Sequence, residues 1–412
     1  MRLKETAAWF VVFLAFTGAG IFGATKPDPT LTLKIGNPKL KEKTVAVMPG
    51  AVLAASTGKS IAFSRMIDEM TKARFVFVGE THNSLPMHDV QAKVIEALYA
   101  KDKALAIGLE MLPAEVQPVL DKWSRGALSE EAFLREIGWY VNWNFNFGYY
   151  KKIFDFAREH GLPVYALNAP REVITKIRMK GWEALSPQEK SLFPGPPDVT
   201  NADHRTLIKA VFESSDLPPQ MKGAGLDMVF EGLYRSQCAW DEVMAANALR
   251  GMEREGRRMV VLAGSGHFLY NLGINRRAFE KSRLPFKTLI CLNVPGAAKA
   301  VSVSRSLGDY IWGLEEEASP VYPDVGLAFK KYENLENLVV DAKPISGAAK
   351  GADFEKGDIV LSVDGKPFAG INELRIYLAG YAWGTEVKFR ILRAGQVKDV
   401  ILKFDLAAIE KE

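Results

Sequence analysis

The segment Val76–His82, VFVGETH, decides the fold, because an apolar run ends there in a Gly-x-x-His turn. A second segment, Val260–His267, VVLAGSGH, repeats this arrangement. Continuously apolar runs are typical of strands that are buried on both faces of a parallel sheet. Because ligands of open α/β sheets bind at the carboxyl ends of the strands, we expect both histidines at one edge of one sheet.

Other apolar runs extend this pattern along the chain. The predicted strands are Phe75–Val78, Ala104–Leu109, Pro163–Leu167, Met259–Ala263 and Thr288–Leu292. Helical patterns at 60–73, 87–100, 130–137 and 150–160 separate them. Strands that alternate with helices predict an α/β fold with a parallel sheet and right-handed crossovers. The interval 170–256 is too long for one crossover, so we expect a helical insertion there.

Composition narrows the classes of protein that remain. The chain has 412 residues, with only 5 His and 2 Cys, and a formal net charge of +4. The few cysteines exclude a disulfide-rich scaffold and a cysteine-rich metal cluster. The small basic excess does not indicate a nucleic-acid surface, and no nucleic acid is expected as a partner.

The N-terminus has the features of an export signal. Arg2 and Lys4 precede the apolar run 7–24, and small residues lie near its end. We therefore expect residues 1–25 to be a signal peptide or a retained N-terminal anchor, with membrane attachment through residues 7–24 in the second case. The rest of the chain is expected outside the cytoplasm. There Cys238 and Cys291 could pair, although Cys291 lies in an apolar run that equally suits a buried free thiol.

The alternation of apolar strands and helical stretches stops after Pro295, which suggests separate domains. We expect an α/β domain at 45–295, a linker at 296–319 and a small, mainly β domain at 320–406, where short alternating strands and turn pairs occur.

Polar side chains follow several of the predicted strands. These are Glu80, His82, Glu110, Asn168, Arg171 and His267. Two histidines with two carboxylates suit a divalent transition metal, or a base–acid pair around a water molecule. Glu80 could instead cap the following helix.

The remaining histidines have simpler interpretations. We expect His88 to be exposed near the start of a helix, and His160 to be structural at a helix C-terminus. His204 is expected in a polar loop without a role.

Five motifs occur in order: GETH at 79–82, GLE at 108–110, LNAPR at 167–171, QxxWD at 237–241 and GSGH at 264–267. Together they resemble the ChaN-like haem-binding family, within the wider Tiki/erythromycin-esterase-like superfamily, over roughly residues 50–295. The resemblance implies a bacterial envelope protein that binds haem or takes part in iron acquisition. In the wider superfamily these motifs imply a metal-dependent hydrolase or peptidase with Mn, Co or Zn. The catalytic and metal-binding residues would then be Glu80, His82, Glu110 and His267, supported by Asn168, Arg171, Gln237 and Asp241.

The resemblance also implies a tyrosine ligand for haem, a known type of axial ligand. Tyr234 is the candidate, followed by Tyr149 and Tyr150, and Tyr234 could alternatively be a helix-surface aromatic. The chain departs from lipid-anchored members of the family because it has no lipobox cysteine, and it has no Cys-x-x-Cys-His for covalent haem.

The C-terminal region resembles a PDZ domain. The segment Gly326-Leu327-Ala328-Phe329 matches the loop that binds carboxylates in that family, with Ala328 in place of the commoner Gly. The resemblance implies that this loop binds a peptide or protein C-terminus while the peptide adds a strand to the sheet. Leu374 and Leu378 could line the groove or belong to the core.

Three functions therefore remain open. The first is an exported haem- or iron-binding protein with a peptide-binding module. The alternative is a metal-dependent hydrolase or peptidase to which the PDZ domain recruits substrate, and the third is a non-catalytic scaffold. A second copy of the chain, as a homodimer, is a further expected partner.

Overall fold

The computed structural model describes residues 28–215 and 225–406. The expected signal peptide or anchor at 1–25, with the run 7–24, lies outside these residues. Among the residues described, no helix is long and apolar enough to cross a membrane. The described residues form two units. Of these residues, the α/β unit comprises those up to Ala127 together with those from Tyr150 to Glu316, and the PDZ-like unit comprises Leu128–Tyr149 together with the described residues after Glu316.

The α/β unit is built on one large sheet. The strands of this unit are β1 (Thr44–Val47), β2 (Val52–Ala54), β3 (Lys59–Ser60), β4 (Phe75–Glu80), β5 (Leu105–Pro113), β6 (Val164–Asn168), β7 (Arg258–Gly264), β8 (Phe286–Val294), β9 (Val301–Ser304) and β10 (Tyr310–Glu315). Eight of them pair in the order β3-β2-β10-β8-β4-β7-β5-β6, while β1 and β9 form a separate antiparallel pair. The six strands from β10 to β6 pair in parallel with one another, while β10 pairs with β2 in antiparallel fashion. The predicted parallel α/β sheet is therefore confirmed, and β4 to β8 correspond to the five predicted strands.

The helices follow in chain order. They are α1 (Phe63–Met70), α2 (Leu85–Lys101), α3 (Gln117–Ser124), α4 (Glu130–Glu136), α5 (Trp139–Asn142), α6 (Lys151–Glu159), α7 (Arg171–Lys180), α8 (Pro187–Lys190), α9 (Ala202–Ser214), α10 (Leu226–Glu255), α11 (Ile274–Ser282) and α12 (Ile371–Leu378). The stretch from α7 to α10 is the expected helical insertion between β6 and β7. Phe75, Phe77 and Val261 of the sheet share one buried core with Leu233 and Met244 of α10, which fixes α10 beside the strand ends.

The expected linker at 296–319 contains two strands, β9 and β10. β10 joins the large sheet because the apolar residues Tyr310, Ile311 and Trp312 pair in parallel with β8. Gly313 interrupts this apolar run in the sequence, and a side chain there would collide with the carbonyl oxygen of Met48. The α/β unit thus continues to Glu316.

Another difference concerns Leu128–Tyr149, which the sequence analysis assigns to the α/β domain. These residues, with α4 and α5, pack within the PDZ-like unit. We call Leu128–Tyr149 the insert segment.

The C-terminal part of the PDZ-like unit is a five-stranded antiparallel sheet. Its strands are β11 (Phe329–Lys331), β12 (Leu338–Val340), β13 (Ile359–Val363), β14 (Glu386–Arg393) and β15 (Gln396–Lys403), paired in that order. The small, mainly β domain is therefore confirmed. Leu374 and Leu378 of α12 are buried in its core, so they belong to the packing of the unit.

Candidate functional site

The chain turn after β4 brings two polar side chains together. Glu80 is the last residue of β4 and is buried, and His82 Nδ1 lies 2.6 Å from Glu80 Oε1. Burial alone lowers the pKa of His82, but the negative charge of Glu80 outweighs this effect and raises the pKa. Glu80 therefore fixes the orientation of the imidazole ring, whose Nε2 atom points away from this carboxylate.

Gly264, the last residue of β7, leaves room for the side chains of His82 and Glu110. It lies opposite Glu80 in the parallel ladder, and its N–H donates to Glu110 Oε2 at 2.7 Å. A Cβ atom at this position would lie 2.8 Å from His82 Cε1 and 3.7 Å from Glu110 Oε2. Because a side chain would fill this space, the glycine is what lets both His82 and Glu110 approach the end of β7.

Glu110, His267 and Asp241 form a continuous chain of contacts. His267 Nε2 lies 3.2 Å from Glu110 Oε1, and His267 Nδ1 lies 2.6 Å from Asp241 Oδ1. Burial lowers the pKa of His267, but the charges of Glu110 and Asp241 outweigh it and raise the pKa to about 10. Burial raises the pKa of Glu110, but the positive charge of His267 outweighs this effect and lowers the pKa to about 2. The arrangement therefore holds a buried imidazolium between two carboxylates at neutral pH.

Asp241 is itself contacted by two further side chains, the imidazole of His204, whose pKa is lowered by burial, and the guanidinium of Arg277. His204 Nε2 lies 3.3 Å and Arg277 Nη1 lies 3.5 Å from Asp241 Oδ2. Although burial raises the pKa of Asp241, the bonds from His204 and His267 outweigh it, so the pKa lies well below its usual range. Arg277 also contacts Glu242, with Nε 3.2 Å from Oε2.

Two histidines lie elsewhere than expected. His88 is buried on α2, with Nδ1 2.9 Å from Gln91 Oε1 and Nε2 3.2 Å from the His82 carbonyl oxygen. The expectation of an exposed His88 is wrong, because α2 turns this face towards β4. His204 is also buried, on α9 instead of a polar loop, since Asn201 caps that helix through the N–H of His204.

The supporting residues take different positions. Gln237 lies one turn before Asp241 on α10, and its Nε2 atom is 2.9 Å from His267 Nδ1. Asn168 Nδ2 donates to the Glu110 carbonyl oxygen at 3.0 Å and so connects β6 to β5. Arg171 is exposed at the first residue of α7. His160, as expected, ends α6, and its ring packs on Phe156.

The three tyrosines that were considered for haem are all buried. Tyr234 donates its hydroxyl to the carbonyl oxygen of Asn201 at 3.2 Å, and burial raises its pKa. Tyr150 packs against the ring of His88, with centroids 4.3 Å apart, and Tyr149 belongs to the PDZ-like unit, where burial also raises its pKa.

Both cysteines are buried free thiols, so no Cys238–Cys291 disulfide is present. Burial raises the pKa of the Cys238 thiol to about 12, which keeps it protonated and unreactive at neutral pH.

The cluster does not fit a metal ion as it is arranged. Within residues 28–215 and 225–406, no group of three or more His, Cys, Asp or Glu side chains is disposed to hold one. The reason is mutual pairing: the two nitrogens of His267 contact the carboxylates of Glu110 and Asp241 on opposite sides of the ring, so these three side chains do not converge on one shared position.

The second candidate site is the loop before β11. Gly326 has φ +71°, and a side chain there would collide with the carbonyl oxygen of Ser346. Leu327 and Phe329 anchor the loop in the core. The loop therefore presents its backbone at the start of β11, one of the two edge strands of the sheet.

A parallel α/β sheet with a buried carboxylate–histidine cluster at its strand ends, joined to a PDZ fold, defines a two-module protein class. The chain belongs to the family described as haem-binding uptake, Tiki superfamily, ChaN, whose model matches residues 66–278. A PDZ domain model matches residues 323–409. Both resemblances predicted from the sequence are confirmed.

Individual proteins are also similar to parts of this chain. A structure of ChaN from Campylobacter jejuni, described as showing cofacial haem binding, is 20% identical with a TM-score of 0.50, covering 63% of this chain and 95% of that one. The protease DegQ of Escherichia coli (strain K12) is 37% identical over 82 residues, 20% of this chain and 18% of DegQ. Protein RETICULATA-RELATED 5 of Arabidopsis thaliana is 22% identical over 167 residues, 38% of this chain and 22% of that protein. The chain thus spans about a fifth of these two curated relatives.

Proposed function

We propose that this chain is an exported haem-binding protein, in the periplasm or on the outer face of the membrane, with a module that binds peptide C-termini. The observation that carries haem binding is the family match over residues 66–278, which runs from α1 to α11 and includes the whole buried cluster. The loop Gly326–Phe329 at an outer strand supports peptide binding, because extended peptides add to such edges.

The buried position of Tyr234 conflicts with a role as the axial ligand of haem. Iron binding favours the tyrosinate form, but burial raises the pKa of Tyr234 and its hydroxyl is bonded to Asn201. Tyr234 therefore does not fit as the axial ligand without opening the helical insertion, and we assign no axial ligand.

Haem titration tests both statements. We expect purified full-length protein to give a saturable Soret shift with haemin, and Tyr234→Phe to give the same shift, because its hydroxyl is committed inside the protein. Absorbance difference spectra measure this, with Tyr99→Phe as a matched control. No Soret shift in the wild type would contradict haem binding, and its loss in Tyr234→Phe alone would return Tyr234 as the ligand.

The buried cluster favours a second candidate function, hydrolysis by acid–base catalysis. His82 is oriented by Glu80 as a catalytic base requires, and Glu110 is kept ionised by His267 on the opposite side of Gly264. His82 could take a proton from a water molecule that attacks the substrate, and the negative charges of Glu80 and Glu110 would stabilise the imidazolium that forms. The metal-dependent form of this hydrolase stays a prediction, and no step is derived through a metal.

An ester assay tests this second candidate. We expect His82→Gln to lower the hydrolysis of p-nitrophenyl acetate by about 100-fold or more, since removing a general base costs that much. The matched control is His160→Gln, which changes the same residue type at a helix end. Initial rates are compared with EDTA and with Mn, Co or Zn added. Equal rates in the two variants, or no turnover in the wild type, would rule out catalysis by this cluster.

A further inference from the structure

The backbone is strained three residues after His267. Tyr270 has φ +59°, in the left-handed region that bulky side chains rarely adopt, and Asn271 follows with φ +57°. A tyrosine in this conformation costs free energy unless the surrounding structure holds it there. Glycine would adopt the same conformation without that cost. A tyrosine is therefore expected at this position only if its side chain makes contacts that offset the strain.

These two residues lie in the turn that follows His267. The turn closes on itself, because a Cβ atom on Gly273 would lie 2.1 Å from the His267 carbonyl oxygen and 3.2 Å from Asp241 Oδ2. We call residues 267–273 the histidine turn. Since one end of this turn carries the imidazole and the other end packs against the same residue, its conformation determines where the imidazole lies between its two carboxylate partners.

The Tyr270 hydroxyl group is bonded to the N-terminal part of the α/β unit. It donates to the carbonyl oxygen of Thr30 at 2.6 Å and accepts the N–H of Leu33 at 2.9 Å. Because Tyr270 is only 2% exposed, the loss of either bond would leave a buried polar group unpaired. The two bonds therefore hold the tyrosine side chain, and with it the left-handed backbone, in place.

Residues 28–37, which we call the N-terminal strap, are themselves fixed on this unit. Ile35 is buried in the hydrophobic core. The N–H of Asn37 donates to Ser306 Oγ at 2.7 Å. The strap is therefore held by contacts of its own and can serve as a support for Tyr270.

Gly36 brings the strap into contact with both elements that meet at Asp241. A Cβ atom on Gly36 would lie 3.0 Å from the Tyr270 carbonyl oxygen, so the strap packs directly on the histidine turn. The Gly36 N–H donates to Asp203 Oδ2 at 2.9 Å. The next residue, His204, contacts Asp241, with Nε2 3.3 Å from Oδ2. One short segment thus supports the histidines on both sides of Asp241.

We propose that the N-terminal strap is a working part of the site, because it holds the histidine turn in its strained conformation through Tyr270 and so positions His267 between Glu110 and Asp241. Tyr270 is a positioning residue, since it acts through His267. Without its two hydroxyl bonds the turn would relax towards an ordinary backbone conformation, and His267 would leave its carboxylate partners. For its catalytic consequence this inference rests on the proposed hydrolysis, but the position of His267 can be measured without any turnover.

The imidazole signals of the full-length chain test this positioning directly. The protein has only 5 His, so isotope-labelled histidine gives few NMR signals, and His267→Gln identifies the signal of His267. We expect Tyr270→Phe to shift the signal of the His267 ring N–H by more than its linewidth, because the turn moves when the hydroxyl bonds are lost. Hydrogen exchange of the amides at 268–272 should become about 10-fold faster or more, since bonds that hold the turn are missing.

Tyr310→Phe is the matched control for this variant. Tyr310 is also 2% exposed, and its hydroxyl donates to Glu69 Oε2 at 2.6 Å, which belongs neither to the strap nor to the histidine turn. Its substitution should leave the His267 signal and the exchange at 268–272 as in the wild type. An equal change in both variants would overturn the proposal, because the effect would then be a general loss of stability.

Gly36→Ala tests the same contact from the side of the strap and leaves Tyr270 intact, so it decides the question if Tyr270→Phe does not fold. We expect it to shift the His267 signal as well. Its control is Gly50→Ala: both glycines have a positive φ, +80° and +74°, but a Cβ atom on Gly50 would meet nothing within 4 Å. An unchanged His267 signal in Gly36→Ala, or an equal shift in Gly50→Ala, would overturn the proposal.

The ester assay separates this inference from the proposed hydrolysis. In an active protein Tyr270→Phe should lower kcat about 10-fold or more and leave KM unchanged, because a misplaced group in a site costs at least that much. An unchanged kcat would overturn the catalytic consequence. A wild type without turnover would overturn the hydrolysis alone, and the His267 signal would still decide whether the strap positions this residue.

Discussion

Replacing Asp241 with asparagine is expected to lower the free energy of unfolding of the α/β unit by about 3 kcal/mol at neutral pH, the cost of breaking a buried ion pair. Asparagine has the same shape, so the loss comes from the charge. His267 and Arg277, both buried, would lose the carboxylate that lies 2.6 Å and 3.5 Å from them. Urea unfolding followed by hydrogen exchange of the β4 and β7 amides measures the change in this unit alone.

The matched control for this variant is Asp68→Asn, which removes the same charge from a surface pair. Asp68 Oδ1 lies 2.9 Å from Lys101 Nζ, but both side chains are more than half exposed. Such pairs contribute under about 1 kcal/mol. Equal effects of the two substitutions would show that the buried network around Asp241 is not what stabilises the strand ends.

The stabilisation by His267 is expected to depend on pH in both directions. Its pKa is about 10 in the folded protein, above the ordinary 6.5, so its contribution is complete below about pH 6.5 and is lost as the pH rises towards 10. The pKa of Glu110 is about 2, below the ordinary 4.5, so its contribution is complete above about pH 4.5 and is lost as the pH falls towards 2. The pair therefore stabilises most between these limits.

Subtracting the unfolding free energy of His267→Gln from that of the wild type isolates this contribution. We expect the difference to reach about 3 kcal/mol near pH 5–6 and to decline on either side. Urea titrations from pH 3 to pH 10 in the presence of EDTA measure it, and His160→Gln serves as the control. A difference that is constant over this range would contradict the imidazolium between two carboxylates.

The sheet and the four central side chains of the site could be predicted because short, continuous stretches of sequence indicate them. An apolar run followed by Gly-x-x-His announces a buried strand and the turn after it, and parallel strands bring Glu80, His82, Glu110 and His267 to one edge. Asp241 was predicted as a site residue from the QxxWD motif at 237–241, and not from the spacing of apolar residues. Its role as the partner of His267 depends on how α10 packs, which no local pattern contains.

The residues that were missed depend on contacts between distant segments. His88 and Gln91 are three residues apart on α2, a spacing that could have indicated a shared buried face. His204 could have been found from Asn201, a good helix N-cap three residues earlier. The insert segment carries no such signal, because its partner α12 lies far along the chain.

This distance has a consequence for the order of synthesis. Asn372 of α12, whose side chain bonds the Tyr140 N–H and the Leu134 carbonyl oxygen, lies 232 positions after Tyr140, so at roughly 5–20 residues per second the ribosome needs about 10–45 s to reach it. During that interval the backbone groups of Leu134 and Tyr140 have no α12 to bond to. The PDZ-like unit is therefore completed only after residue 372 has been synthesised, and a fragment cut before that residue would leave the insert segment without its partner.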